Sequence, residues 1–157
     1  ASSFSKSFSL YGERVGALTI IDSSADESVR VLSQLKRVIR ANYSTPPTHG
    51  GAVVTTVLTS RELRTLWIEE LTEMRERIRH MRSALVESLK AHGARRDFSF
   101  VLRQNGMFSY SGMTPEQVDR LREEFHIYAV STGRICVAAL NSRNVDYVAK
   151  AMTTVLQ

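Results

Sequence analysis

The sequence predicts an α/β fold, and three features indicate it. Strand-like and helix-like segments alternate towards the end of the chain, as expected when helices pack on a small sheet. Several stretches with apolar residues at helical spacing begin with a capping box, in which a serine or threonine is followed three residues later by glutamate or glutamine. This pattern is typical of the start of a helix. One of these stretches is long enough for a helix of about thirty residues, which is longer than the usual helix of a small domain.

The first part of the chain predicts one buried strand and two helices. Residues 15–21 form a continuous apolar run rich in β-branched side chains, which is typical of a strand buried on both faces. A capping box at residues 24–27 begins a helix that runs to about Arg40. Two prolines, at positions 46 and 47, prevent its continuation, and the apolar residues 52–58 indicate a second, short helix.

The next element is the long helix. A capping box at residues 59–62 predicts its start, and Gly93 predicts its end. Apolar residues recur between them at intervals of three and four: Leu63, Leu66, Trp67, Leu71, Met74, Ile78, Met81, Leu85 and Leu89. This stripe predicts a core-facing helix that joins two domains, with a coiled-coil segment as the alternative.

The last part of the chain predicts two hairpin strands, a helix, two further strands and a final helix. Residues 98–102 and 107–111 are the hairpin strands, joined by an Asn-Gly turn. Thr114 caps the following helix, with proline at its first position. Residues 128–130 and 134–140 predict the remaining strands, and Asn141 or Ser142 caps the final helix.

The composition is that of a soluble globular protein. Of the 157 residues, 43% are hydrophobic and 24% are charged, and no apolar run reaches the ~20 residues of a membrane span. The single cysteine, Cys136, cannot form an internal disulfide, and the first residues lack a signal-peptide pattern. We therefore predict a cytoplasmic protein that does not interact with membranes.

The net charge of +5 does not indicate nucleic-acid binding. Arginines alternate with glutamates along the long helix, which is typical of a solvated face rather than a basic recognition surface. The four histidines, His49, His80, His92 and His126, do not have the spacing of metal ligands. The sequence therefore predicts no nucleic-acid partner and no metal.

The candidate reactive groups lie near the beginning of the chain, where Lys6 lies among several serines and Arg14 follows. A primary amine can condense with an aldehyde, and hydroxyl and guanidinium groups bind phosphate oxygens. These groups together suit pyridoxal 5′-phosphate, which carries both an aldehyde and a phosphate. On the residues alone, a solvated turn before the strand is the alternative, because loops often collect serines and an occasional lysine.

Four stretches in the same order carry a family resemblance: residues 3–16, 40–50, 105–109 and 133–138. Together they closely resemble the class I aminotransferases, in the aspartate and aromatic (tyrosine) subgroup. The resemblance implies the C-terminal portion of a fold-type I, pyridoxal-phosphate-dependent transferase. Residues 1–73 would be the end of the large cofactor-binding domain, and residues 74–157 the small α/β domain, with the long helix between the domains.

The resemblance also implies roles for individual residues. Lys6 would hold the cofactor as a Schiff base and act as the catalytic base, while Ser3 and Arg14 would bind the cofactor phosphate. The substrate-binding residues would be Arg134 for the α-carboxylate, Phe108 beside the substrate, and Arg40 with Ser44 on a loop that reaches the neighbouring subunit. Shared sites of this kind imply a homodimer.

The function expected from the resemblance is the transfer of an amino group from an aromatic or dicarboxylic amino acid to a 2-oxo acid such as 2-oxoglutarate. Two alternatives remain open at this point. The enzyme could be a strict aspartate aminotransferase, or the chain could be a non-catalytic piece that is inactive when isolated.

Overall fold

A computed structural model describes residues 1 to 157, and the chain divides into two compact units, Ala1–Leu71 and Thr72–Gln157. Each unit combines helices with a two-stranded antiparallel sheet. The elements that begin in the first unit are β1 (Ser2–Ser3), α1 (Phe4–Ser7), β2 (Gly16–Ala17), α2 (Ala25–Asn42), α3 (His49–Thr59) and α4 (Arg61–Ala91). The second unit continues with α5 (Phe100–Arg103), β3 (Phe108–Tyr110), α6 (Pro115–Phe125), β4 (Arg134–Cys136), a 3₁₀ turn (Val137–Ala139) and α7 (Val145–Val155).

Helix α4 has 31 residues and is therefore about 46 Å long, as the sequence predicts. Its start differs by one residue from the prediction. The Ser60 hydroxyl accepts a hydrogen bond of 3.3 Å from the Leu63 amide, whereas the Thr59 hydroxyl donates to the Thr55 carbonyl because Thr59 still belongs to α3. Gly93, with a φ of 78°, follows the end of the helix, as expected of a terminating glycine.

The apolar stripe of α4 is buried over only part of its length. Met81, Leu85 and Leu89 belong to the core of the second unit. Leu66 and Met74 are 52% and 47% exposed, so the prediction that the whole stripe is core is wrong for the earlier turns.

The first unit contains the predicted helices but not the predicted buried strand. Of residues 15–21 only Gly16–Ala17 is a strand, and Ile21 is 95% exposed. A strand buried on both faces needs neighbours on both sides, and β2 has only the two-residue β1. Helix α2 is capped by Ser24 as predicted, but Val29 on its apolar face is 69% exposed.

The second unit has one continuous hydrophobic core. It is formed by the end of α4 with α5, α6, the 3₁₀ turn and α7: Met81, Leu85, Leu89, Phe98, Val101, Met113, Val118, Leu121, Val137, Leu140, Val145, Ala149, Ala151, Met152 and Val155. Helix α6 begins with the predicted capping box, in which Thr114 and Gln117 each accept the other's backbone amide. Across the whole chain, no helix combines the length and hydropathy that crossing a bilayer requires.

The predicted hairpin of residues 98–102 and 107–111 is wrong. The Asp97 carboxylate accepts hydrogen bonds from the amide and hydroxyl of Ser99, which favours a helical turn, and α5 follows with Val101 buried. Strand β3 pairs instead with β4 in an antiparallel register, Ser109 opposite Ile135.

Two further boundaries differ from the predictions. Residues 128–130 are not a strand, and the strand predicted for residues 134–140 ends at Cys136 because the Leu140 amide bonds back to Val137 in a 3₁₀ turn. The final helix begins at Val145 rather than directly after Asn141 or Ser142. Asn144 accepts a hydrogen bond from the Asn141 amide, and this turn precedes the helix.

Candidate functional site

Lys6 and Arg14 both lie close to the ring of Tyr11. The Lys6 Nζ is 3.9 Å from the centre of the Tyr11 ring, and the Arg14 guanidinium carbon is 5.6 Å from the same centre. Arg14 also donates a hydrogen bond of 2.8 Å to the Tyr11 carbonyl. The two cations can be no farther apart than the sum of these ring distances, so the structure brings the predicted amine and the predicted phosphate ligand together.

Helix α4 contacts the lysine segment, residues 4–8, through Trp67. Trp67 of this helix stacks on Phe8 with ring centres 4.7 Å apart, and its indole nitrogen donates a hydrogen bond of 2.6 Å to the Ser7 carbonyl. Phe4 packs edge-on against Phe8. These contacts hold the backbone next to Lys6, whose side chain is exposed.

Ser3 lies at the start of α1, where it can serve an anion. Its hydroxyl oxygen accepts a hydrogen bond of 3.3 Å from the Ser5 amide. A serine hydroxyl that accepts in this way still has its own proton to donate. Strand β1 approaches β2 so closely that a side chain on Gly16 would lie 2.6 Å from the Ser2 carbonyl oxygen. This close approach fixes the backbone at Ser3, three residues before Lys6.

Arg14 is not paired with the neighbouring Glu13. Glu13 instead lies 3.0 Å from the His49 Nδ1 at the start of α3. Arg14 has a φ of 53°, which is uncommon for a residue with a side chain. Its guanidinium is exposed and keeps donors that the single bond to Tyr11 does not use.

Arg40 and Ser44 form a separate pair in the first unit. The Arg40 Nη1 donates a hydrogen bond of 2.6 Å to the Ser44 hydroxyl, and both residues are exposed. Ser44 has a φ of 68°, just beyond the end of α2, so the chain turns sharply there. The structure therefore brings these two predicted residues together, without a hydrogen bond to Lys6 or Arg14.

Arg134 and Phe108 meet on the exposed face of the β3–β4 sheet. The Arg134 guanidinium carbon lies 4.8 Å from the centre of the Phe108 ring. The register places Tyr110 directly opposite Arg134 and makes Phe108 its diagonal neighbour on the same face. An exposed guanidinium stacked on a ring is held in orientation while its edge remains available to a carboxylate.

Sequence reasoning missed the residues that hold these groups in place, namely Tyr11, Trp67 and Arg82. Arg82 is only 3% exposed, and burial lowers the pKa of its guanidinium. A signal for Arg82 exists in the sequence, because it lies between Ile78 and Leu85 at helical spacing and so interrupts an apolar stripe with a charge.

The comparisons with known proteins agree on one family. Residues 1–152 match the model of aminotransferase class I and II. The chain is 70% identical to an aspartate aminotransferase of Pseudomonas aeruginosa and 51% identical to an aromatic-amino-acid aminotransferase of Escherichia coli, in each case over 99% of this chain. Among solved structures, an aromatic-amino-acid aminotransferase from Burkholderia pseudomallei, covalently bound to pyridoxal phosphate, is 73% identical with a TM-score of 0.95 over 99% of this chain.

These relatives are much longer than the chain. The 157 residues cover 39% of the length of each of the two curated relatives and 39% of the solved structure. Aspartate and aromatic enzymes both occur among them, so the similarity includes both substrate classes.

Proposed function

The chain belongs to the aminotransferase class I and II family, and from this premise we propose that it forms part of a longer aminotransferase that uses pyridoxal 5′-phosphate. The amino donor is an aromatic or dicarboxylic amino acid, and the acceptor is a 2-oxo acid such as 2-oxoglutarate. The observation that supports this most directly is that Lys6 and Arg14 both lie close to one ring, that of Tyr11. Our assignment of the chain to the C-terminal part of such an enzyme, with a domain boundary after residue 73, belongs to the same proposal.

The donor set fits the cofactor chemically. An exposed amine suits an aldehyde, and an exposed guanidinium with a serine hydroxyl on the same segment suits a phosphate. When bound, pyridoxal 5′-phosphate supplies the aldehyde that condenses with amino groups and the electron sink for the deprotonated α-carbon. Arg14 and Ser3 bind the phosphate, and Lys6 is the residue that bonds to the cofactor.

The remaining steps belong to the protein's own residues. Arg134 binds the α-carboxylate of the amino acid through its planar guanidinium, with Phe108 beside the substrate. The Lys6 Nζ, once free, takes the proton from the α-carbon. Because the amine is tethered next to the reacting carbon, it needs no encounter from solution, and such proximity lowers the barrier.

The test of the cofactor assignment is optical. By the complete protein we mean the longer aminotransferase of which this chain is proposed to form part. In the complete protein, added pyridoxal 5′-phosphate should give the visible absorbance band of a lysine adduct. The band should be absent in Lys6→Ala and retained in Lys36→Ala, a control on α2. A band that persists in Lys6→Ala would exclude Lys6 as the anchor, and rates with aspartate, tyrosine and phenylalanine distinguish a strict aspartate enzyme from a broader one.

Arg40 and Ser44 support a second part of the proposal, a homodimer in which each site contains residues of both subunits. The pair is exposed, and its only mutual hydrogen bond leaves Arg40 donors for a distal substrate carboxylate. Mixing the inactive variants Lys6→Ala and Arg40→Ala in denaturant and refolding them should restore activity with dicarboxylic substrates, because hybrid dimers have one intact site. Unshared sites would give no recovery.

The isolated 157 residues are proposed to be inactive. Ser3, Lys6 and Arg14 are all exposed in this chain, and bound cofactor in an aminotransferase must be shielded from water. We expect the isolated chain to bind pyridoxal 5′-phosphate far more weakly than the complete protein, in the same absorbance titration. A cytoplasmic location is also proposed, since the single Cys136 is free.

A further inference from the structure

Arg82 is a buried cation whose partners are all neutral. Its Nη1 donates to the Val101 carbonyl at 3.0 Å and to the Ser109 hydroxyl, and its Nη2 donates to the carbonyls of Gly106 and Phe108 at 2.8 and 2.9 Å. A buried charge without a counter-ion is costly and is tolerated only when its donors are satisfied. The arrangement therefore fixes the position of the backbone that surrounds Arg82.

That backbone is strand β3 and the turn before it. Strand β3 pairs with β4 on one side only. The Phe108 carbonyl bonds to Arg82, and the amide and carbonyl of Tyr110 bond to the Gln104 side chain. Side chains thus replace the strand that is missing on this edge, and Arg82 is the one that comes from the rigid helix α4.

The position of β3 determines the position of Arg134. Phe108 projects onto the exposed face, where its ring lies under the Arg134 guanidinium at 4.8 Å. A shift of the Phe108 backbone moves this ring and removes the surface on which the guanidinium rests. Phe108 therefore links Arg82 to Arg134. Its carbonyl accepts a hydrogen bond from Arg82, and its ring lies under the Arg134 guanidinium.

We infer that Arg82 is a positioning residue for substrate binding: by holding the Phe108 backbone it orients Arg134 towards the carboxylate of the amino acid. This inference rests on the proposed function, in which Arg134 binds that carboxylate. Arg82 does not touch the substrate, and its effect appears in affinity for the carboxylate rather than in cofactor binding.

The experiment compares steady-state kinetics of variants of the complete holoenzyme, with L-aspartate or L-phenylalanine as the amino donor. Arg82→Met removes the charge altogether. Arg82→Lys keeps the charge but loses the forked geometry, and Ser109→Ala removes one partner without removing the charge. These two variants keep the test available if Arg82→Met does not fold. We expect KM to rise about tenfold to a hundredfold in Arg82→Lys, because small misplacements of a binding group have effects of this size. The visible cofactor band per subunit should remain unchanged.

Two controls separate positioning from general stability. Val118→Ala shortens a buried side chain of α6, outside the β3–β4 sheet, and lowers stability, whereas Arg79→Lys changes an exposed arginine of α4, the helix that carries Arg82. Neither should raise KM. If KM follows the unfolding midpoint across all variants, including Val118→Ala, the role of Arg82 is structural and the inference is overturned.

A double variant distinguishes this inference from the proposed function itself. If Arg82 acts through Arg134, then Arg82→Lys should raise KM little further in an Arg134→Lys background. Additive effects would overturn the inference while leaving the proposed function intact. An unchanged KM in Arg134→Lys alone would instead contradict the assigned role of Arg134, and the inference would fail with it.

Discussion

The indole nitrogen of Trp67 donates a hydrogen bond of 2.6 Å to the carbonyl of Ser7, the residue that follows Lys6. The contact joins residues sixty positions apart and attaches the lysine segment to the long helix. The backbone of a reactive lysine must be held so that its flexible side chain searches only a small volume. The Trp67–Ser7 bond, with the stacking of Trp67 on Phe8, provides this in the first unit.

Replacing Trp67 by phenylalanine tests the hydrogen bond apart from the stacking. Trp67→Phe keeps an aromatic ring against Phe8 but leaves the partly buried Ser7 carbonyl without its donor. We expect a loss of about 1 kcal/mol in the free energy of unfolding, together with weaker binding of pyridoxal 5′-phosphate, measured by urea unfolding and absorbance titration. Leu66→Met, at the adjacent half-exposed position, should change neither quantity, and a full-affinity Trp67→Phe variant would contradict the anchoring role.

The capping box of α6 predicts a second stability change. In Thr114→Ala the Gln117 amide loses its acceptor, and loss of a hydroxyl cap typically lowers stability by about 0.5–2 kcal/mol. The matched control is Thr65→Ala, because the Thr65 hydroxyl bonds only to the Arg61 carbonyl within α4 and caps no helix end. Urea unfolding should separate the two variants, and equal stability would show that the cap contributes nothing.

Local signals explain why the helices could be predicted from the sequence. A hydroxyl before a helix, as at Ser24 and Thr114, bonds to an amide only three residues away, so its effect does not depend on the rest of the fold. The strand predicted for residues 98–102 is wrong because of another local hydrogen bond. The Asp97 carboxylate turns the backbone at Ser99, and this local bond overrides the apolar pattern from which a strand was predicted.

Pairing between distant segments could not be predicted in this way. The Asn-Gly turn pointed to a neighbouring partner strand, whereas β3 pairs with β4 across an intervening helix. Of the candidate site, Lys6 and Arg14 could be placed together because only a short segment separates them. Arg82 was missed because three of its four partners are backbone carbonyls, which have no signature in a sequence.

Gly133 precedes Arg134 in a conformation that side chains avoid, and it is also crowded. Its φ is 78°, and an added Cβ would lie 2.8 Å from the Met113 carbonyl oxygen. Gly133→Ala combines backbone strain with a clash against backbone, so we expect a loss of about 1–3 kcal/mol in the free energy of unfolding. Thermal and urea unfolding of the complete protein measure this loss.

The control for Gly133 is Gly106, which has nearly the same φ, 79°, but nothing within 4 Å of an added Cβ. Gly106→Ala should therefore show the cost of the left-handed backbone alone, about 1–2 kcal/mol. The difference between the two variants isolates the clash with Met113. If both variants lose the same stability, the close approach at Gly133 is relieved by a small shift and carries no cost.

Asp146 at the start of α7 predicts a dependence of stability on pH. Hydrogen bonds from the Ser88 hydroxyl and from His92, at 2.7 and 2.9 Å, lower the pKa of its carboxyl below the ordinary 3.8. Because the folded carboxyl binds a proton less readily than the unfolded one, the stabilisation is fully present above pH 3.8. It is lost as the pH falls through the lower, folded pKa.

Asp146→Asn should accordingly lower the urea midpoint at about pH 5, and the difference from the wild type should shrink below about pH 4. Ser88→Ala, which removes the largest cause of the shift, should show the same trend with a smaller amplitude. NMR titration of the Asp146 carboxyl provides a direct measurement. A carboxyl that titrates above 3.8, or a difference that grows on acidification, would mean that Asp146 is not held as an anion between α4 and α7.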